Sequence, residues 1–234
     1  MKLLQIILSL LVVTAPASLG RAQSLSDPGE SSGTPAATSP AILRLNYTRP
    51  TTKEKLRSYL FETIGPYPIV GAAAAAGVNQ ADNAPPEWKQ GAVGYGKRFA
   101  SDFGINGVTI TTRYALASLF REDTLYYRCE CKGMFPRLGH AMISTFAGRR
   151  GNDGHRVFSF PALIAPYAGT MVAVYGWYPG RYNAQDGFRM GNYNLLVYVA
   201  ENVVLEFFSS GPHSLLTRMH LNNGHGAQDT SPTP

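Results

Sequence analysis

Cysteine is scarce in this chain of 234 residues, which holds two, Cys129 and Cys131. So few exclude a scaffold stapled by several disulfides and a ribbon with four thiolate ligands. Charge is also thin, with Asp, Glu, Lys and Arg making up 15% of the chain. The basic residues are interleaved with acids and form no run of four, so the electrostatic footprint of a nucleic-acid binder is missing and no nucleic-acid partner is expected. Neither a Gly-x-Ser-x-Gly elbow nor a His-Glu-x-x-His zinc motif occurs. The glycines of Gly91-Ala92-Val93-Gly94-Tyr95-Gly96-Lys97 fit neither phosphate-loop fingerprint, follow no strand, and suit close helix packing better. No cofactor is expected. Alternation of period two is rare, which weighs against a sheet protein.

What is present begins at the N-terminus. Met1-Lys2 is followed by an unbroken apolar run from Leu3 to Val13 and by small residues up to Ala22. A basic start, an apolar stretch of about eleven residues and small residues before the cut make a secretory signal over residues 1–22. The run falls short of the roughly 20 residues that cross a bilayer. Loss of residues 1–22 removes Lys2 and Arg21 and lowers the formal charge from +6 to +4. Residues 23–49 are rich in Ser, Pro, Gly, Ala and Thr and read as a disordered linker, as does the tail over 211–234. The folded domain is expected over 50–210.

Within it, Thr51-Thr52 caps a short helix that Gly65-Pro66 ends, and five alanines between Gly71 and Gly77 predict a thin, buried second helix. Asn83-Ala84-Pro85-Pro86-Glu87 has the composition of a helix start. Trp88, Ala92, Tyr95, Phe99 and Phe103 follow at helical spacing as one apolar stripe. Gly104 to Gly107 predict a kink or break, after which Ile105, Val108, Ala115 and Leu119 continue an apolar face; the β-branched run Val108 to Thr112 also suits a strand. Residues 121–137 read as a surface connection. Leu138, Met142 and Phe146 mark another helix with Arg137, His140 and Ser144 on its polar face, and Pro161 to Tyr178 a further apolar one. Asp186 caps a last helix with Leu196, Val199, Val203 and Phe207 as core stripe and Asn194, Tyr198 and Glu201 opposite. The sum is an all-α bundle of about five to seven helices. Residues 158–180 carry no charge, a length that also suits a membrane span, although Pro161 and Pro166 fall inside it.

Candidates for chemistry are few. His140 and Ser144, one helical turn apart, are the candidate base and nucleophile, with no orienting acid visible. Cys129, Cys131 and His140 are the candidate metal ligands; free thiols and a labile redox pair are the other readings of the two cysteines. Arg98, Arg113, Arg137 and Glu201 are charges inside apolar patterns, and a bundle can pair Glu201 with one of these arginines or line a small polar pocket between helices.

Pro86-Glu87-Trp88-Lys89-Gln90-Gly91-Ala92-Val93-Gly94-Tyr95-Gly96-Lys97-Arg98-Phe99 resembles a family of exported bacterial proteins common in acidobacteria. The likeness extends through Arg121-Glu122-Asp123, Arg137-Leu138-Gly139-His140-Ala141, Tyr178-Pro179 and Glu206-Phe207-Phe208. It implies export and a single domain, and it implies no reaction.

The leading expectation is a non-catalytic structural or interaction module of the periplasm or outer envelope, resting on a membrane in one version of that reading. Membrane lipid or an envelope protein is the partner to consider. The competing expectations are a bundle that binds lipid or a small hydrophobic ligand, and an envelope hydrolase that uses His140. Expression of the full chain in a Gram-negative host is expected to yield a mature protein beginning at Gln23, read by intact mass; an unprocessed N-terminus would overturn the signal.

Overall fold

The computed structural model describes Tyr47, residues 49–129 and residues 131–208. The expected signal over 1–22, most of the expected linker over 23–49 and the expected tail over 211–234 lie outside them. From Arg49 onward the chain is mostly helical: α1 (Thr52–Ile64), α2 (Pro66–Ala81), a single 3₁₀ turn (Pro86–Trp88), α3 (Ala92–Leu119), β1 (Glu122–Asp123), α4 (Met134–Phe146), β2 (Ala147–Arg150), β3 (His155–Phe158), α5 (Phe160–Gly176) and α6 (Ala184–Phe208). α3 is the central element, packed on α5 and α2, with α6 lying on α5 and α4.

Local chemistry explains the helix ends. Thr51 and Glu54 form a capping box, with Thr51 N–H donating to Glu54 Oε2 at 2.7 Å and Glu54 N–H to Thr51 Oγ1 at 3.3 Å. Each satisfies an amide that the first turn leaves without a partner. Ser159 caps α5 through a 3.3 Å bond from Ala162 N–H. Asn183, one turn ahead of the Asp186 expected from the sequence, caps α6: its Oδ1 accepts from Gln185 N–H at 2.8 Å, and Asp186 answers its backbone N–H at 3.1 Å.

The third helix begins later than its sequence suggests. Pro86–Trp88 makes one 3₁₀ turn, and Lys89 (φ 59°) and Gly91 (φ 90°) then adopt left-handed conformations that break the helical path. The chain folds back so tightly that a Cβ on Gly94 would sit 2.2 Å from Lys89 O. From Ala92 the helix runs unbroken through Gly104 and Gly107 to Leu119. The tertiary contacts of α5 supply what glycine takes away, since the Trp177 ring lies at Gly104 and its Nε1 donates to Ser101 Oγ at 2.8 Å. Val108 to Thr112 are helical, not a strand.

The sequence expects a connection over 121–137 and a helix end at Gly148 to Gly151. There the chain forms a small antiparallel sheet in the order β1-β2-β3, with Glu122 opposite Arg150 and Arg149 opposite Arg156. Strands of two and four residues are too short to show a period, so pattern reading passes over them.

The larger correction concerns which faces point inward. Buried positions on α3 are Gly94, Arg98, Ser101, Ile105, Thr109, Ile110 and Ala117, while Ala92 and Tyr95 of the expected stripe are exposed. Leu119 is 75% exposed. On α6, Leu196 of the expected core stripe lies outward, and the polar side turns in: Asn194 donates to Thr109 Oγ1 at 3.5 Å and Asn202 to Thr145 Oγ1 at 2.9 Å. The interior is built from Ala72, Ala76, Ala141, Ala165 and Ala173 with buried Ser and Thr and with Ile105, Ile110 and Val174, and many large apolar side chains are left exposed.

Small residues set the helix separations. Gly169 of α5 meets α3 so closely that a Cβ there would lie 2.0 Å from Thr109 Oγ1 and 2.7 Å from Ile105 O. Gly169→Ala is therefore expected to destabilise the protein by about 1–3 kcal/mol through overpacking. Gly71→Ala, where an added methyl meets nothing within 4 Å, is expected to be neutral or stabilising. Urea denaturation midpoints with unchanged m-values check both.

Candidate functional site

The charged side chains buried in this bundle fall into separate centres. The first is Arg98, fully buried on α3. Its Nε donates to Ala84 O at 2.8 Å, Nη1 to Gln80 Oε1 at 2.6 Å and to Lys89 O at 2.8 Å, and Nη2 to Pro85 O at 2.9 Å. A guanidinium is the side chain suited to this, because its fork offers five fixed donors. Arg98 thus gathers the end of α2 and the loop before α3, and its donors are spent on the fold. Beside it, burial pushes the Asp102 carboxyl up to about 7, against a 3.2 Å bond from Asn79 and the charge of Arg98.

The second centre joins α1, α2, α3 and α6. Arg113 lies over the Tyr198 ring at 5.8 Å and donates to Thr124 O at 3.3 Å, and Tyr114 OH donates to Glu62 Oε1 at 3.1 Å. Glu201 shares this charge field. Burial raises its pKa from 4.5 to about 7 in spite of a bond to Tyr67 and the charge of Arg113. Of the arginines the sequence offered to Glu201, it is Arg113 that shares its centre.

The third centre surrounds Glu206, fully buried near the end of α6. Tyr126 OH donates to its Oε2 at 2.7 Å, Cys129 N–H to the same oxygen at 3.2 Å, and Arg137 Nε to Oε1 at 3.1 Å. A second Arg137 nitrogen meets the Glu206 backbone carbonyl. Burial alone would raise this carboxyl, but the bonds from Tyr126, Cys129 and Arg137 outweigh it and hold the pKa below the ordinary glutamate value. Glu206 therefore stays ionised. His140 joins the same centre, its Nδ1 facing Glu206 Oε2 at 3.5 Å. Its Nε2 faces Ser144 Oγ at 3.4 Å and Arg156 Nη2 at 3.1 Å. Burial and the Arg156 charge lower the His140 pKa, which leaves the imidazole neutral at pH 7.

Next to this centre lies a cavity of about 30 Å³, lined by Ser144, Tyr126, Asn202, Arg113, Glu122 and Ser159 among others. Glu122 is buried there, accepting from Ser159 Oγ at 2.6 Å and from Arg150 Nη2 at 2.8 Å. The volume matches one water molecule.

Arg98, Arg113, Arg137 and Glu201 therefore do not converge on one pocket. His140 and Ser144 do come together. The acid that sequence reasoning missed is Glu206, the lone charge in the apolar run Val203 to Phe208, and that isolation was the available signal. Cys129 and Cys131 are joined as a disulfide with Cα atoms 5.1 Å apart, so their sulfurs are not thiolate ligands beside His140. Closing so short a loop removes little unfolded-state entropy, on the order of 1–2 kcal/mol. Among the described residues no three His, Cys, Asp or Glu side chains form a group that could hold a metal. The chain matches no family model, no curated protein and no solved structure.

Glu201 yields a pH prediction. A carboxyl that holds its proton more tightly when folded favours the folded state in acid, and this advantage fades as pH rises from about 4.5 to about 7. Glu201→Gln cannot lose a proton, so its urea midpoint is expected to fall less than that of the wild-type chain between pH 5 and pH 7.5. Parallel curves would assign the effect elsewhere.

Proposed function

We propose that this protein is an exported helical module of the cell envelope that works by contact, resting its outward apolar side chains on a membrane lipid surface. The supporting observation is the number of large apolar side chains left on the outside of the bundle. The fully buried positions are mostly alanine, serine, threonine and paired charges with Ile105, Ile110 and Val174 among them, while Leu56, Leu60 and Ile64 on α1, Ile164, Val172 and Tyr175 on α5, and Leu196, Val197 and Val204 on α6 are exposed.

Single exposed apolar residues are ordinary, but a row of them along one helix, as Leu56, Leu60 and Ile64 make on α1, suits an apolar neighbour. Small residues at helix crossings, with polar groups bonding between helices, are the packing mode used where lipid surrounds a bundle. No helix among the described residues is long and apolar enough to cross a membrane. α5, the most apolar, is 17 residues long and ends at Gly176. A chain of this kind lies at the interface, with its polar ends in water.

Cell fractionation tests this reading. The mature chain is expected to pellet with membranes, to resist a salt wash, and to leave in alkaline carbonate. Leu60→Glu with Val197→Glu is expected to move most of it into the soluble fraction, each buried charge costing about 1 kcal/mol or more at the interface. A wild-type chain found wholly soluble and monomeric would overturn the proposal.

A further inference from the structure

The contact reading leaves one group of side chains without a purpose. Glu206, His140 and Ser144 form a line: carboxylate to Nδ1 at 3.5 Å, then Nε2 to Oγ at 3.4 Å. We infer that Ser144 is a nucleophile toward carboxylic esters, with His140 as its general base and Glu206 as the acid that positions the imidazole.

The order of atoms carries the assignment. A guanidinium can only donate, so the 3.1 Å contact from Arg156 Nη2 makes His140 Nε2 an acceptor. The ring proton then sits on Nδ1, which lies 3.5 Å from Glu206 Oε2 without a hydrogen bond to it, and this is the tautomer a nucleophilic serine needs from its base. Both distances exceed a closed hydrogen bond, as they often do before substrate binds and draws the groups together. The protonation states agree with the role, since His140 is held neutral and Glu206 ionised.

Glu206 is itself over-determined. Tyr126, Cys129 N–H and Arg137 fix both oxygens, so the carboxylate cannot turn away from the imidazole. This support is what an isolated His and Ser one turn apart on a helix would lack. Arg156 is exposed on β3 and sits beside the reacting atoms. In this structure it occupies the one lone pair of Nε2, so it must swing away before that nitrogen can take the Ser144 proton; moved to the carbonyl oxygen, its charge would stabilise an oxyanion.

The reaction balances without any cofactor. Ser144 Oγ bonds to the ester carbonyl carbon while its proton passes to His140 Nε2. The bond from that carbon to the alcohol oxygen then breaks, and the leaving alcohol takes the proton from Nε2. Water attacks the acyl-serine, gives its proton to Nε2, and the carboxylic acid departs as Ser144 regains its hydrogen. One ester and one water become one acid and one alcohol. Ser144 is half-buried beside a cavity that admits little more than one water, and α4 exposes Met142 and Ile143 next to it. The reacting carbonyl is therefore expected at Ser144 with its alkyl chain lying outside, on the apolar surface. An alkyl ester is the class that fits.

The mature full chain, with its disulfide intact, is treated with an alkyl fluorophosphonate and, separately, with p-nitrophenyl butyrate. Intact mass and peptide mapping are expected to place a single adduct on Ser144. Ser144→Ala is expected to abolish labelling, and His140→Gln to slow it at least tenfold, with both variants keeping the wild-type far-ultraviolet spectrum. The wild-type labelling rate is expected to rise with pH and level off below the ordinary imidazole range. Glu206→Gln is expected to slow labelling at least tenfold on the high-pH plateau, where His140 is fully neutral, while the far-ultraviolet spectrum and urea midpoint show the variant folded; a folded variant with an unchanged plateau would leave Glu206 a structural carboxylate and overturn its part of the inference. No adduct on the folded wild-type chain, an adduct elsewhere, or a Ser144→Ala variant as reactive as wild type would overturn the inference. Any of these results leaves membrane partition unchanged, so the two proposals fail separately.

Discussion

A charge removed from water must be answered by partners, and this bundle is organised around that constraint. Glu206 is the clearest case. Its carboxylate collects a phenol, a backbone amide and a guanidinium from the segment 126–137, and so ties the far end of α6 to α4 and the loop before it. Arg98 does the equivalent work at the other end of the order of elements, gathering the carbonyls of Ala84, Pro85 and Lys89 into a turn. Removing one member of such a set leaves the others buried and unsatisfied, which costs more than the set contributes when whole.

This constraint shapes the surface as well. Helices that turn Arg98, Thr109, Glu206 and small residues inward leave little room there for large apolar side chains beyond Ile105, Ile110 and Val174. Many leucines and phenylalanines are half-buried or exposed, and the exposed ones are the material for contact with an apolar neighbour. The close crossing of α3 and α5 at Gly169 belongs to the same design, because side chains of alanine size and smaller bring backbones within reach of short polar bonds such as Thr170 Oγ1 to Gly187 O at 2.9 Å.

Two polar centres differ in how they answer charge. Around Glu206 the donors suffice, and the carboxylate is held ionised. Around Glu201 they do not: burial outweighs the bond from Tyr67 and the charge of Arg113, and the nearby Glu62 adds to it, so the proton is retained to higher pH. The first arrangement stiffens the molecule near His140, and the second makes stability depend on pH near neutrality.

Much was determined by local chemistry. The capping box at Thr51, the stop at Gly65-Pro66, the alanine-rich helix and the charge-free helix from Phe160 follow from propensities and caps that act within a few residues. Helical content was therefore legible without tertiary information. The inward face was not, because period alone shows that a stripe exists and leaves open whether a neighbour or the solvent meets it. The sheet at 122–158, the unbroken passage of α3 through Gly104, and the meeting of His140 with Glu206 all depend on partners distant in the chain. Only packing decides such contacts: a glycine is tolerated in a helix when a tryptophan covers it, and an acid comes to face a histidine 66 positions away only when two helices are brought side by side.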